Sequence, residues 1–230
     1  MIIDFTASIV TGGGMRARIE ALRSSYDPRC EAYFDDILRR RGSAFCDSAS
    51  GFLLLDSLLQ KNRIDRMEVP IVVDENHRPH IDRNDMDFSV SHSEGCAICV
   101  LAVGEGANVG CDVQRARNYS PEKMTQLAQT FMSERELSRF GGSADKSAEF
   151  FTAWTRREAF VKRIGKTRDT SIFDNLNSAN LSGEFFREGI ISACGERYFY
   201  SVNTLSDSEA EFSDEPRELC ESSETPQKTA

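Results

Sequence analysis

Apolar positions recur along this chain with two periods, close to 2 and close to 3.6, and the change from one to the other divides it into strands and helices. "MIIDFTASIV" reads as an opening strand and "MRARIEALRSSY" as a short helix. "RCEAYFDDILRRRG" predicts a second helix stopped by its glycine. In "DSASGFLLLDSLLQKN", Phe52, Leu55, Leu58 and Leu59 form the clearest helical stripe of the first half, with Asp47 or Ser48 as its cap. "VPIVVDENHRPHI" predicts a strand, a turn and a second extended piece, and "MDFSVSHSEGCAICVLAVG" two strands joined by a polar turn at His92–Gly95.

The second half repeats the theme. In "ANVGCDVQ", Val109, Cys111 and Val113 alternate as the buried face of a strand, and Asp112 and Gln114 share the opposite face. "SPEKMTQLAQTFMS" is a helix with Ser120 as N-cap, Pro121 at its first position and Glu122 suited to the helix dipole. A short helix follows in "SERELSRF", then a long one in "SAEFFTAWTRREAFVKRIG" that ends at Gly165. "GEFFREGIISACGERYFYSVNT" predicts paired strands around Gly189 and Gly195. The fold class is therefore mixed α+β. We divide it into an N-terminal half (1–105), a C-terminal half (106–205) and an acidic tail (206–230) expected to be disordered.

Composition changes this picture in two places. The net charge of −9 is misleading, because the tail holds eight acids and two bases, which leaves the body near −3 with local arginine clusters. Seven scattered cysteines, with a single C-x-x-C spacing at Cys96–Cys99 inside an apolar strand stretch, and only three histidines argue against zinc and for a reducing compartment. No signal-peptide pattern and no apolar run of about 20 residues is present. The expectation is a cytoplasmic protein that binds neither membrane nor nucleic acid.

The candidate chemistry centres on the last long helix. Trp154, Glu158 and Lys162 follow at i, i+4 and i+8 and so share a face. Alone, a Glu–Lys pair at this spacing is ordinarily a solvated helix pair. With Asp112 facing it, the two carboxylates would suit Mg²⁺, which takes few protein carboxylates beside waters and phosphates, and Lys162 would sit near those phosphates. His92 lies between Ser91 and Ser93, and Arg78 is held extended by Pro79. "TGGG" at 11–14 lacks the phosphate-loop pattern, and Cys111 alternates as a core residue. The Arg39–Arg41 cluster reads as a solvated helix end unless the ligand is a polyphosphate.

Taken in order, "HRP…DFSVSHS…VGCDVQ…FMSERE…FFTAWTRREAFVKRIGK" resembles the 4′-phosphopantetheinyl transferase superfamily, in its Sfp-type branch. That pattern runs through an Arg-Pro or Lys-Pro loop, (F/N)xSHS, (V/I)GxDxE, FF-S-x-x-E and WxxKExxxK. The resemblance covers roughly Val73 to Thr170 and extends more weakly to Asn203. It implies a pseudo-twofold monomer of two similar halves with coenzyme A between them. It also implies Mg²⁺-dependent (or Mn²⁺-dependent) transfer of phosphopantetheine to a serine of an acyl or peptidyl carrier protein of fatty acid, polyketide or nonribosomal peptide synthesis, with release of 3′,5′-ADP.

Position by position, the resemblance makes Asp112 and Glu158 metal-binding acids. Glu158 would also help deprotonate the attacking serine, and Lys162 would contact the pyrophosphate. Ser91 and His92 fall at phosphate contacts, and Arg78 and Pro79 in the adenine-side loop. Three positions depart from the family. Gln114 replaces a third metal-proximal acid, Arg157 replaces a lysine expected to touch the cofactor, and Ser50 falls near an expected arginine, which leaves Arg39, Arg40 and Arg41 as candidates for the 3′-phosphate. These departures keep two alternatives open: a non-catalytic module of the same fold that binds coenzyme A or a carrier, and a metal-dependent phosphohydrolase.

Overall fold

A computed structural model of the chain describes residues 1–9, 14–74, 78–166, 181 and 183–205. The expected tail at 206–230, residues 11–13 of "TGGG" and the turn at 75–77 lie outside the described residues.

Each half is built from the same succession: a strand, a group of helices that ends in a long one, and a closing hairpin. In the first half these are β1 (Ile2–Ile9), α1 (Met15–Arg23), α2 (Glu31–Arg39), α3 (Gly42–Lys61), a small hairpin β2 (Ile71–Val73) and β3 (Pro79–Ile81), and the hairpin β4 (Met86–Ser93) and β5 (Cys96–Val103). In the second they are β6 (Val109–Arg115), α4 (Pro121–Phe131), α5 (Glu134–Gly142), α6 (Lys146–Arg163), β7 (Phe185–Ala193) and β8 (Glu196–Thr204). The sheet orders match, β1-β5-β4 and β6-β8-β7, both antiparallel, so the two-halves expectation holds. Both closing hairpins turn through two residues at positive φ, Glu94-Gly95 and Cys194-Gly195, the geometry that matches strand twist.

The inner faces of the two sheets meet in one apolar layer, with Ile98 and Val100 from one side and Val109, Cys111 and Val202 from the other. Helices cover both outer faces. Tyr26, Tyr33, Phe34 and Phe52 lock α2 and α3 together through tilted and edge-to-face rings. Phe131, Phe150, Phe151 and Phe199 do the same for α4, α6 and β8. β5 is covered on both faces, which explains its nearly unbroken apolar run. Among the described residues no helix is long and apolar enough to cross a membrane.

Local expectations fail where tertiary packing overrides them. α3 begins at Gly42 rather than after Asp47, because Phe45 joins the core with Arg16 over its ring and recruits the preceding turn. Asp47 and Ser48 therefore lie inside the helix, and α2 ends at Arg39 because the chain turns extended at Arg40, without a glycine stop. His92 belongs to β4, not to the turn, and Gly189 lies within β7, where a Cβ would meet the Tyr200 ring at 2.5 Å.

One glycine sets how the second half packs. A Cβ at Gly110 would lie 2.0 Å from the Ala159 carbonyl oxygen and 2.6 Å from the Arg163 nitrogen, both backbone atoms of α6. α6 therefore rests directly on β6, and the face of the helix and the face of the strand are brought into side-chain range. We expect Gly110→Ala to destabilise the protein by about 3 kcal/mol or more, read as a loss in urea midpoint, whereas Gly141→Ala, which meets nothing within 4 Å, changes it little.

Candidate active site

β4 and β6 are the neighbouring edges of the two sheets, yet no backbone hydrogen bond joins them. The β6 amides that face β4 must still find acceptors. Every second side chain of β4 supplies one: Asp87 to Val109 N (3.0 Å), Ser89 to Cys111 N (3.0 Å), Ser91 to Val113 N (3.2 Å) and Ser93 to Arg115 N (3.0 Å).

Along this seam opens a cavity of about 840 Å³ with walls from both halves. The first half contributes Tyr33, Arg39, Arg40, Asp47, Ser48, Pro79, Ser91 and His92, and the second contributes Asp112, Gln114, Trp154, Glu158 and Lys162. The structure thus gathers seven of the nine residues singled out in the sequence, and the i, i+4, i+8 stripe of α6 faces the cavity as its periodicity predicts.

Lys162 Nζ lies 2.7 Å from Asp112 Oδ1 and 2.8 Å from Ser91 Oγ, and Ser91 Oγ donates to Asp112 Oδ1 at 2.8 Å. Burial works against the lysine's charge, but the negative groups around it, Asp112 first and Glu158 with it, together more than offset this and hold the lysine pKa above its ordinary value. Glu158, one turn earlier, behaves in the opposite way. Burial, and then the Asp112 charge, push its carboxyl up to about 7 against the pull of Lys162. Two carboxylates that repel each other and share a single lysine are an arrangement a divalent ion would relieve.

The donor set fits such an ion in chemistry. Asp112 and Glu158 supply oxygens, and Gln114, whose Nε2 donates to Ser93 Oγ at 3.3 Å, keeps its carbonyl oxygen for a third. Among the described residues no group of three or more His, Cys, Asp and Glu stands together as a metal cluster. At the cavity mouth His92 Nδ1 lies 3.5 Å from Asp47. Burial lowers the His92 pKa; Asp47 opposes this, and Lys162 and Arg40 reinforce it. Burial also drives the Cys111 thiol up to about 12, so it is no nucleophile.

Two expected residues point elsewhere. Arg157 is fully buried and grips Glu136 through both guanidinium nitrogens (3.1 and 2.6 Å). One residue off the Trp154–Lys162 stripe, it is turned about 100° away from the cavity, and it ties α5 to α6. Glu136 also closes the capping box with Ser133, which gives "FMSERE" a structural reading. Arg78 Nη2 bonds Asp87 (2.7 Å) and the carbonyls of Phe88 and Val109, so it staples the end of the seam and leaves only Pro79 on the cavity wall. Of the arginine cluster, Arg39 and Arg40 line the cavity, with Arg40 paired to Asp36 at 2.7 Å; Arg41 does not.

Sequence reasoning missed Asp47, Ser48 and Tyr33, whose types suit a cap and a core. It also missed a repeat of the site. Asp4 pairs across its sheet with Leu101 as Asp112 pairs with Ser201, each partner being the sixth residue of its strand. Asp4 is likewise buried and met by a lysine of the long helix, Lys61, at 3.1 Å. One turn before Lys61 stands Ser57, bonded to its own helix, where α6 offers Glu158 before Lys162.

Comparison with known proteins agrees with this geometry. A family model described as the 4′-phosphopantetheinyl transferase superfamily matches residues 108–221, the half that carries Asp112, Gln114, Glu158 and Lys162. The chain is also similar to 4′-phosphopantetheinyl transferase gsp of Aneurinibacillus migulanus, at 29% identity over 121 residues, which cover 50% of this chain and 48% of that protein. The match thus spans about half the length of that relative. The half of the chain that carries the acid–lysine site at the seam is thus similar to the 4′-phosphopantetheinyl transferase superfamily.

Proposed function

We propose that this protein transfers the 4′-phosphopantetheine group of coenzyme A to a serine of an apo acyl or peptidyl carrier protein, with release of 3′,5′-ADP, in a Mg²⁺-dependent reaction. The observation that carries the reading is the junction of Asp112, Glu158 and Lys162 in a cavity shared by the two halves. The cavity's size lies in the range of small-molecule sites. Both walls come from one chain, which supports a monomer. The cysteines Cys30, Cys46, Cys96, Cys99, Cys111 and Cys194 are unpaired, which supports a reducing, cytoplasmic setting.

Asp112 and Glu158, with the Gln114 carbonyl oxygen, would hold Mg²⁺, which when bound neutralises charge on the pyrophosphate being cleaved. Lys162 has three N–H donors, two of which are committed to Asp112 and Ser91, so the third is left for a phosphate oxygen. Its raised pKa keeps it cationic at neutral pH. Arg39, Arg40 and His92 line the same cavity and are suited to the remaining phosphates. Glu158 accepts the proton of the incoming serine, directly or through water. The nucleophile belongs to the partner, so the cavity needs none of its own.

Incubation of the protein with coenzyme A, Mg²⁺ and a panel of apo carrier proteins should add one phosphopantetheine to at least one carrier by mass, and Glu158→Ala should lower the rate by about 100-fold or more. No mass gain on any carrier would refute the reading, and coenzyme A binding indifferent to Mg²⁺ would favour a non-catalytic module instead. Gln114→Glu restores a third charge and should tighten Mg²⁺ binding by about tenfold in calorimetry.

The raised pKa of Glu158 also affects stability. The folded chain holds this proton more tightly than the unfolded one, so stability falls as pH rises from about 4.5 towards about 7 and stays low above it. In chelator, Glu158→Gln should therefore be more stable than the parent by about 1–3 kcal/mol at pH 8, with the difference closing towards pH 5 in urea melts.

A further inference from the structure

Ser91 is set apart from the other rungs of the seam by what its hydroxyl does. A hydroxyl has one proton to donate and two lone pairs to accept with. Ser91 uses all three: it donates to Asp112 Oδ1 (2.8 Å) and accepts from Lys162 Nζ (2.8 Å) and from Val113 N (3.2 Å). The side chain is buried, with 5% of the residue exposed. It has no bonding capacity left for a ligand phosphate, although it lines the cavity. Ser89, two residues earlier, has the same seam role, accepting from Cys111 N, but bonds no charged group of the site.

We propose that Ser91 is a positioning residue: its hydroxyl fixes Asp112 and Lys162 relative to each other and to the seam, and it does not itself bind the substrate. The consequence is directional. With Oδ1 of Asp112 engaged by both Ser91 and Lys162, Oδ2 is the oxygen left with capacity for a ligand or cation. With two lysine donors engaged, the third is the one aimed into the cavity. Ser91 also couples the halves, since it stands on β4 of the first and holds side chains on β6 and α6 of the second.

The kinetic part of the test rests on the transferase reading; the chemical part does not. Ser91→Ala and Ser89→Ala each remove one seam acceptor, so both lower stability. Only Ser91→Ala should then lower kcat for transfer, by about tenfold or more as the reacting groups lose their alignment, with KM and calorimetric Kd for coenzyme A within about twofold of the parent. Ser91→Thr, which keeps the hydroxyl, should restore kcat. Independently of turnover, acetic anhydride should label Lys162, read by peptide mass, at least about threefold faster in Ser91→Ala than in the parent or in Ser89→Ala, because one of the two groups that hold the amine is gone.

A rise in KM and Kd with kcat retained would make Ser91 a ligand contact and overturn the proposal. Equal kcat and equal Lys162 labelling in the two alanine variants would overturn it too, reducing Ser91 to an ordinary rung. If the parent transfers to no carrier, the functional reading falls by itself, and the labelling comparison still decides the role of Ser91.

Discussion

The amides of one edge strand need acceptors, and the backbone of the neighbouring strand does not supply them. That single requirement organises the molecule. The amides of β6 at Val109, Cys111, Val113 and Arg115 face the first half, and Asp87, Ser89, Ser91 and Ser93 answer them in register. Buried donors left without partners would cost about 1–3 kcal/mol each, so the two sheets are held at a defined offset. Everything at the cavity inherits that offset. Arg78 closes one end of the seam, and Ser91 and Ser93 carry it into the groups that line the cavity.

The two halves share a plan but not a chemistry. Each buries an aspartate at the same register of its first strand and presents a lysine of its long helix to it. In the first half the result is a structural ion pair, with Asn62 satisfying the other carboxylate oxygen at 2.9 Å. In the second half a glutamate one turn earlier and a serine from across the seam convert the same pair into a strained acidic site. The difference comes from Glu158, whose ionisation the fold makes unfavourable beside the Asp112 charge.

Much of this was legible in the residues. The stripe of α6, the face of Asp112 and the capping of α4 by Ser120 follow from periodicity and local hydrogen bonding, and these survive folding unchanged. What could not be read has a common cause. Arg157 and Arg78 carry the charge a phosphate site wants, but their true partners, Glu136 and Asp87, are chosen by packing across the fold. Asp47 and Ser48 look like caps because their short side chains bond locally in most sequences, and only the core position of Phe45 moves the helix start upstream. The alternation Asp87, Ser89, Ser91, Ser93 looks like the wet face of a strand, and nothing local reveals that another strand's amides consume every one.

A ladder built from backbone groups is the same whatever the residues, but a ladder built from side chains is written in codons. Each rung of the β4–β6 seam can be shortened, lengthened or deleted by one substitution while the sheets on either side keep their own pairing. The offset between the two walls of the cavity is therefore heritable in small steps. A protein made this way can adjust the spacing of its site to a new substrate without first inventing a new fold.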